Sequence, residues 1–148
     1  MNIINKNIEE QVVGFLNAKL LKEKGFGVPC SKAFDFNGQI EEGGFREGNS
    51  WQLRTFDYNT TLNYACSAPT QQLVIDWIRI NFGIHISVDI AGNNSYYGEQ
   101  NGKYMYCISE IKKGKSLENS WTYQILFNTP EEAKEAAINY VLNNLITL

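Results

Sequence analysis

The apolar and polar positions follow two different periods, and the two periods meet between Ala68 and Ile90. After Pro69, the residues Leu73, Trp77 and Ile80 recur at i, i+4 and i+7 with Val74 and Ile78 beside them, which makes one stripe of a helix. Pro69 suits the first turn, where a missing N–H costs nothing, and Gly83 supplies the stop. The period then drops to two. Ile84, Ile86, Val88 and Ile90 alternate with His85, Ser87 and Asp89, as in a strand with one buried face. The spacing predicts a helix folded back over the sheet that this strand joins, with Leu73 and Trp77 packed on the four β-branched residues.

The same reading extends in both directions. Ile8, Val12, Leu16 and Leu20 lie four apart and predict a first helix from about Asn5 to Lys24, with Gly14 inside it and Gly25 as its stop. Residues 26–67 are broken by glycines into short pieces. Ala33 to Phe36 before Asn37-Gly38 predicts a strand entering a tight hairpin that returns through Gln39-Ile40-Glu41, and Trp51 to Phe56 predicts another strand. After Ile90 comes a Gly/Asn-rich connection over 92–102, then a strand from Tyr104 to Ile111, a charged loop beginning at Lys112, and a strand from Trp121 to Phe127. Three successive strands with no helical pattern between them imply an antiparallel meander. Thr129-Pro130-Glu131-Glu132 is a capping box with proline at the first helical position, and Ala133, Ala136, Ala137, Tyr140, Val141 and Leu145 form the inward stripe of a last helix. The expected fold is α+β in one domain over 1–148: N-terminal helix, irregular β-rich segment, central helix, three-strand antiparallel meander, C-terminal helix.

Composition narrows the class. With 148 residues, 43% hydrophobic and 20% charged, the chain is long enough for one real core and too apolar for disorder. The net charge of −3 argues against a general nucleic-acid binder. Cys30, Cys66 and Cys107 are odd in number and widely spaced, and with a single histidine they do not make a zinc site of the usual spacing. Free thiols in a reducing compartment are the simpler reading. The N-terminus lacks the basic start and apolar run of a signal peptide, and no apolar run approaches bilayer length, so a cytoplasmic protein is expected.

Catalytic constellations are weak. His85, Ser87 and Asp89 include the residue types of a hydrolase triad, but on a strand neighbours on one face stand about 6.6–6.8 Å apart, too far for hydrogen-bond contact. Glu41, Glu42 and Glu47, with Asp35 and Asp57, lack calcium-loop spacing and read as a solvated acidic surface. Lys112, Lys113 and Lys115 read as a soluble hairpin loop, and Cys107 in mid-strand as an inert structural thiol. No cofactor and no metal is expected.

Several short stretches resemble a group of uncharacterised proteins encoded by bacteriophages and bacterial mobile elements. They are Lys24-Gly25-Phe26 followed by Pro29-Cys30, Asn49-Ser50-Trp51, Ala68-Pro69-Thr70-Gln71 opening a helix that runs to Trp77, Ile84-His85-Ile86, and Thr129 to Glu132 before an Ala-rich helix. The resemblance implies a fold and a genetic setting, and no activity. The reading adopted from the sequence is a non-enzymatic module that binds a macromolecule, with protein favoured over nucleic acid. Tyr96 and Tyr97 are the candidate contacts, because tyrosine in a Ser/Asn/Gly-rich loop offers large area at low entropic cost, and Trp51 is a weaker one. Two alternatives stand beside it. One is RNA or single-stranded DNA binding through an aromatic sheet face carrying Tyr104 and Tyr106. The other is a small enzyme using His85, the sole imidazole.

Overall fold

The computed structural model describes residues 9–91, 102–120 and 125–147. Within them the order is α1 (Phe15–Glu23), β1 (Lys32–Phe34), β2 (Ile40–Glu42), β3 (Gly44–Glu47), β4 (Ser50–Leu53), β5 (Cys66–Ser67), α2 (Gln71–Phe82), β6 (Ile84–Ile90), β7 (Tyr104–Glu110), β8 (Lys115–Asn119) and α3 (Pro130–Asn144). All strand pairs are antiparallel, in sheets β2-β1-β5, β3-β4 and β6-β7-β8. This is the expected α+β layout, with helices at both ends and one in the centre.

α2 and α3 pack on β6 and β7, and α1 packs on α3. Thr70 caps α2, its hydroxyl accepting from the Leu73 N–H at 3.2 Å, so Pro69 stands before the helix and not in its first turn. Pro69 lies just outside the helix, where its carbonyl accepts from the Val13 N–H at 2.9 Å. The inward face is Gln71, Val74, Ile75 and Ile78, one position round from the expected stripe. Leu73 and Trp77 flank the core half-buried, and Ile80 is 71% exposed. Trp77 sits edge-on to Phe26 and Phe82, with ring centroids 5.3 and 5.2 Å away. Gly83 ends the helix in the left-handed region at φ +66°, a conformation that glycine adopts without steric cost. Along β6 burial fades with distance from this helix end. Ile84 and Ile86 are buried, Val88 is half-buried, and Ile90, expected to face the helices, is 68% exposed.

The first helix is shorter than its pattern. It starts at Phe15, and Gly14 is its N-cap instead of an interior residue. Before it the chain is extended and stitched to the entrance of α2. The Gln71 N–H donates to Gln11 O at 2.8 Å, and Val12 bridges Thr70. These long-range bonds outcompete the helical period at Val12. The inward residues are Asn17, Ala18 and Leu21, while Leu16 is exposed. Ile8 belongs to residues 1–8, outside the described residues.

The β-rich segment is two hairpins in series. The expected hairpin is present: Phe34 pairs Ile40, and the Asp35 carboxylate accepts from Asn37 N–H at 2.8 Å and Gln39 N–H at 2.9 Å. The second joins β3 to β4 through the two-residue turn Gly48-Asn49. Between them the Gly43 N–H donates to Ser31 O at 2.9 Å. Beneath lies a satellite cluster of Ala33, Tyr58, Tyr64 and Phe45.

The strand that pairs with β7 on the side away from β6 is β8, which lies in the charged stretch expected to be a loop. The turn that closes it, with Gly114 at φ +56°, uses the lysines expected in a loop. Of the strand expected from Trp121 to Phe127, residues 121–124 lie outside the described residues, the Ile125 N–H turns back to Ser120 O at 2.9 Å, and Phe127 alone bridges Tyr104. The last helix begins where its cap predicts. Thr129 Oγ1 accepts from Glu132 N–H at 3.2 Å, and the Glu132 carboxylate accepts from Asn128 N–H at 3.2 Å. Its buried face is Ala133, Ala137, Ile138, Val141 and Leu142.

Candidate functional site

Trp51 stands on the β3-β4 ribbon, where the residues of β4 are all exposed. Arg46 is its cross-strand partner, and Leu53 lies opposite Gly44. Alternation places Gly44, Arg46, Trp51 and Leu53 on one face and Phe45 on the other. Phe45 turns inward, where its ring meets Phe56 at 5.1 Å and Tyr58 at 6.0 Å. The open face therefore carries Trp51, 57% exposed, and Leu53, 65% exposed. The indole covers the backbone: a Cβ at Gly44 would stand 2.9 Å from Trp51 Nε1 and 2.4 Å from Gln52 O. The absence of a side chain at Gly44 leaves the space that the indole occupies. Arg54 and Glu47 form an ion pair near the ribbon's ends. Tyr96 and Tyr97 lie outside the described residues.

The sequence signalled Trp51 and missed its surroundings. The apolar pattern does not announce the partner strand Gly44–Glu47 or the exposure of Leu53, although Gly48-Asn49 between Phe45 and Trp51 is a two-residue hairpin signal.

The other candidates do not converge. His85, Ser87 and Asp89 stand opposite Ser109, Cys107 and Met105, and among the described residues no hydrogen bond links them to one another. The acidic residues disperse. Asp35 holds the first hairpin turn, Asp57 accepts from Asn59 N–H at 3.1 Å, Glu42 stands 3.9 Å from Lys32, and Glu47 pairs with Arg54. Among the described residues no group of acidic, histidine or cysteine side chains is placed to hold a metal. The face that carries Tyr104 and Tyr106 is the one turned to the helices. Tyr106 is buried with its ring 6.0 Å from Phe127, so a base has no access to it.

Two grooves flank the extended segment before α1. One, of about 610 Å³, is lined by Val12, Cys30, Lys32, Thr70 and Leu73 among others. Burial pushes the Cys30 thiol up to about 11, so it is neutral near pH 7 and a poor nucleophile. The other, of about 550 Å³, contains Gln71 and Glu135. There the Glu135 carboxylate is already engaged: Oε1 accepts from Gly14 N–H at 2.7 Å and from Asn17 Nδ2 at 2.8 Å, and Oε2 accepts from Gln71 Nε2 at 3.0 Å. Asn17 and Gln71 are both buried, and Asn139 Nδ2 adds a bond to Asn17 Oδ1 at 2.9 Å. This cluster joins three helices, and its carboxylate has a structural task.

No protein-family model, no curated protein and no solved structure matches the chain. No helix among the described residues is long and apolar enough to cross a membrane.

Proposed function

We propose that the chain is a small non-enzymatic binding module whose contact surface is the open face of the β3-β4 ribbon, centred on Trp51, and whose partner is a protein. The supporting observation is where apolar surface is left uncovered. Trp51 and Leu53 stand two residues apart on the same face of β4, and both are exposed. Apolar side chains concentrated on one surface mark an interaction site, and tryptophan is the residue type most enriched among those that dominate binding energy. A cytoplasmic setting rests on the three free cysteines. A phage or mobile-element origin rests on the resemblance of the Ala68–Gln71 and Thr129–Glu132 stretches. The nucleic-acid alternative loses its aromatic platform to α3 and Phe127.

The test compares the chain with a Trp51→Ser, Leu53→Ser double variant in affinity capture from host lysate, followed by calorimetry with the captured protein. The double variant is expected to weaken binding by more than about 2 kcal/mol and to change stability by less than about 1 kcal/mol, because both side chains are exposed. An unchanged affinity refutes the reading. A Tyr96→Ser, Tyr97→Ser variant run alongside assigns or removes that pair as a contact.

A further inference from the structure

The outer edge of β4 is a second surface, distinct from its face. The Arg54 N–H donates to Gly43 O at 3.0 Å, which fixes the parity of the ladder. Counting from that bond, the pairs 45/52 and 47/50 exchange hydrogen bonds, and the pairs 44/53 and 46/51 do not. The N–H and C=O groups of Trp51 and Leu53 therefore point away from β3. Among the described residues no hydrogen bond is made to any of them. Exposed edges of this kind are normally blunted by lysine, proline, a bulge or an inward-pointing charge. Ser50-Trp51-Gln52-Leu53 has none of these.

We propose that β4 pairs with β4 of a second copy of this chain, antiparallel, about a two-fold axis through Gln52. The edge is self-complementary in that register. The outward groups sit on Trp51 and Leu53, either side of Gln52, so Trp51 of one copy exchanges both hydrogen bonds with Leu53 of the other, and the reverse. Gln52 then meets the same residue of the second copy as a non-hydrogen-bonded pair. On the open face each indole gains an aliphatic cross-strand neighbour, a favourable pairing. No like charges meet: Arg54, held by its own Glu47, comes opposite Ser50. The two ribbons become one continuous sheet whose open face carries both copies of Trp51 and Leu53. The hydrogen bonds of the pairing come from the edge backbone, so variants at Gln52 test it without altering Trp51 or Leu53 of the partner surface proposed above.

Gln52 gives a test that spares the face. Sedimentation equilibrium of the full chain at high-micromolar concentration is expected to show species of twice the 16.9 kDa monomer mass. Gln52→Lys and Gln52→Glu each place like charges across the axis and are expected to weaken the dimer about fivefold or more. Mixing the two variants in equal amounts is expected to restore it, which a misfolded variant does not do. In a Cys107→Ser background, Gln52→Cys is expected to form an interchain disulfide under mild oxidation, since the axis brings the two side chains together. A wild-type chain that stays monomeric overturns the proposal, including the case in which a strand of another protein occupies the edge. So does a dimer indifferent to both charge variants, which would place the contact elsewhere.

Discussion

At the scale of single residues, Gly43 and two buried thiols carry the sharpest expectations. A Cβ at Gly43 would stand 2.2 Å from Tyr58 Cζ, and Tyr58 is fully buried with its hydroxyl bonded to Arg54 O, so the ring has nowhere to go. Gly43→Ala is expected to cost about 2 kcal/mol or more in urea unfolding. A cost under about 0.5 kcal/mol would show that the aromatic cluster yields freely. Cys30 and Cys66 both have thiols raised to about 11 from an ordinary 9.0, chiefly by burial. The folded state keeps the proton that the unfolded chain gives up, so their contribution to stability is intact below about pH 9 and is lost as pH rises towards about 11. Unfolding midpoints measured across that range should fall, and a Cys30→Ala, Cys66→Ala variant should fall less steeply. All three cysteines are free, and Cys107 is the more exposed of them. In native protein at neutral pH an alkylating reagent should therefore label Cys107 first, with three labels appearing only on denaturation.

At the scale of elements, legibility tracked how local the deciding chemistry is. The start of α3 was readable because its cap lies within four consecutive residues, Thr129 to Glu132. Gly83 was equally readable, since a left-handed stop after an apolar stripe asks for glycine. The start of α1 was not, because the bonds that hold residues 11–13 extended come from residues 69–71. β8 was hidden for another reason: Lys-Ser-Leu-Glu-Asn has one apolar residue, and a strand at the edge of a sheet needs no alternating pattern to form. The ribbon was half legible. Trp51 stood out by type, but the facing strand Gly44–Glu47 has only Phe45 to announce it. On α2 the pattern gave the helix and misplaced its face by one position. The observed face predicts that Ile78→Ala, at a fully buried site, costs about 3–4 kcal/mol, while Ile80→Ala costs less than about 0.5 kcal/mol. Equal costs would restore the stripe through Leu73, Trp77 and Ile80.

At the scale of the whole molecule, the polar cluster on Glu135 decides how the helices are held. One carboxylate accepts from the cap of α1, from a side chain inside α1, and from the first residue of α2. Glu135→Ala leaves Asn17 Nδ2 with only the backbone carbonyl of residue 135, at 3.1 Å, and removes an anion from the N-terminal end of α1. A loss of about 2–3 kcal/mol is expected, and part of it should return in Glu135→Gln, whose amide oxygen can still accept from Gly14 and Asn17 while its nitrogen faces the Gln71 donor. Equal losses in both variants would mean that the charge, and not the hydrogen bonding, matters. The same cluster bears on the order in which a growing chain can settle. α1 leaves the ribosome early, yet the group that closes its first turn lies 121 residues further on. Until α3 has been made, the Gly14 amide lacks its acceptor and Asn17 has no reason to turn inward, so the N-terminal third waits on the C-terminal one. Nascent chains halted before residue 129 should show rapid amide exchange at Gly14, and protection should appear only once α3 is released. Such a chain gains its final cooperativity late, as expected where decisive contacts span most of the sequence.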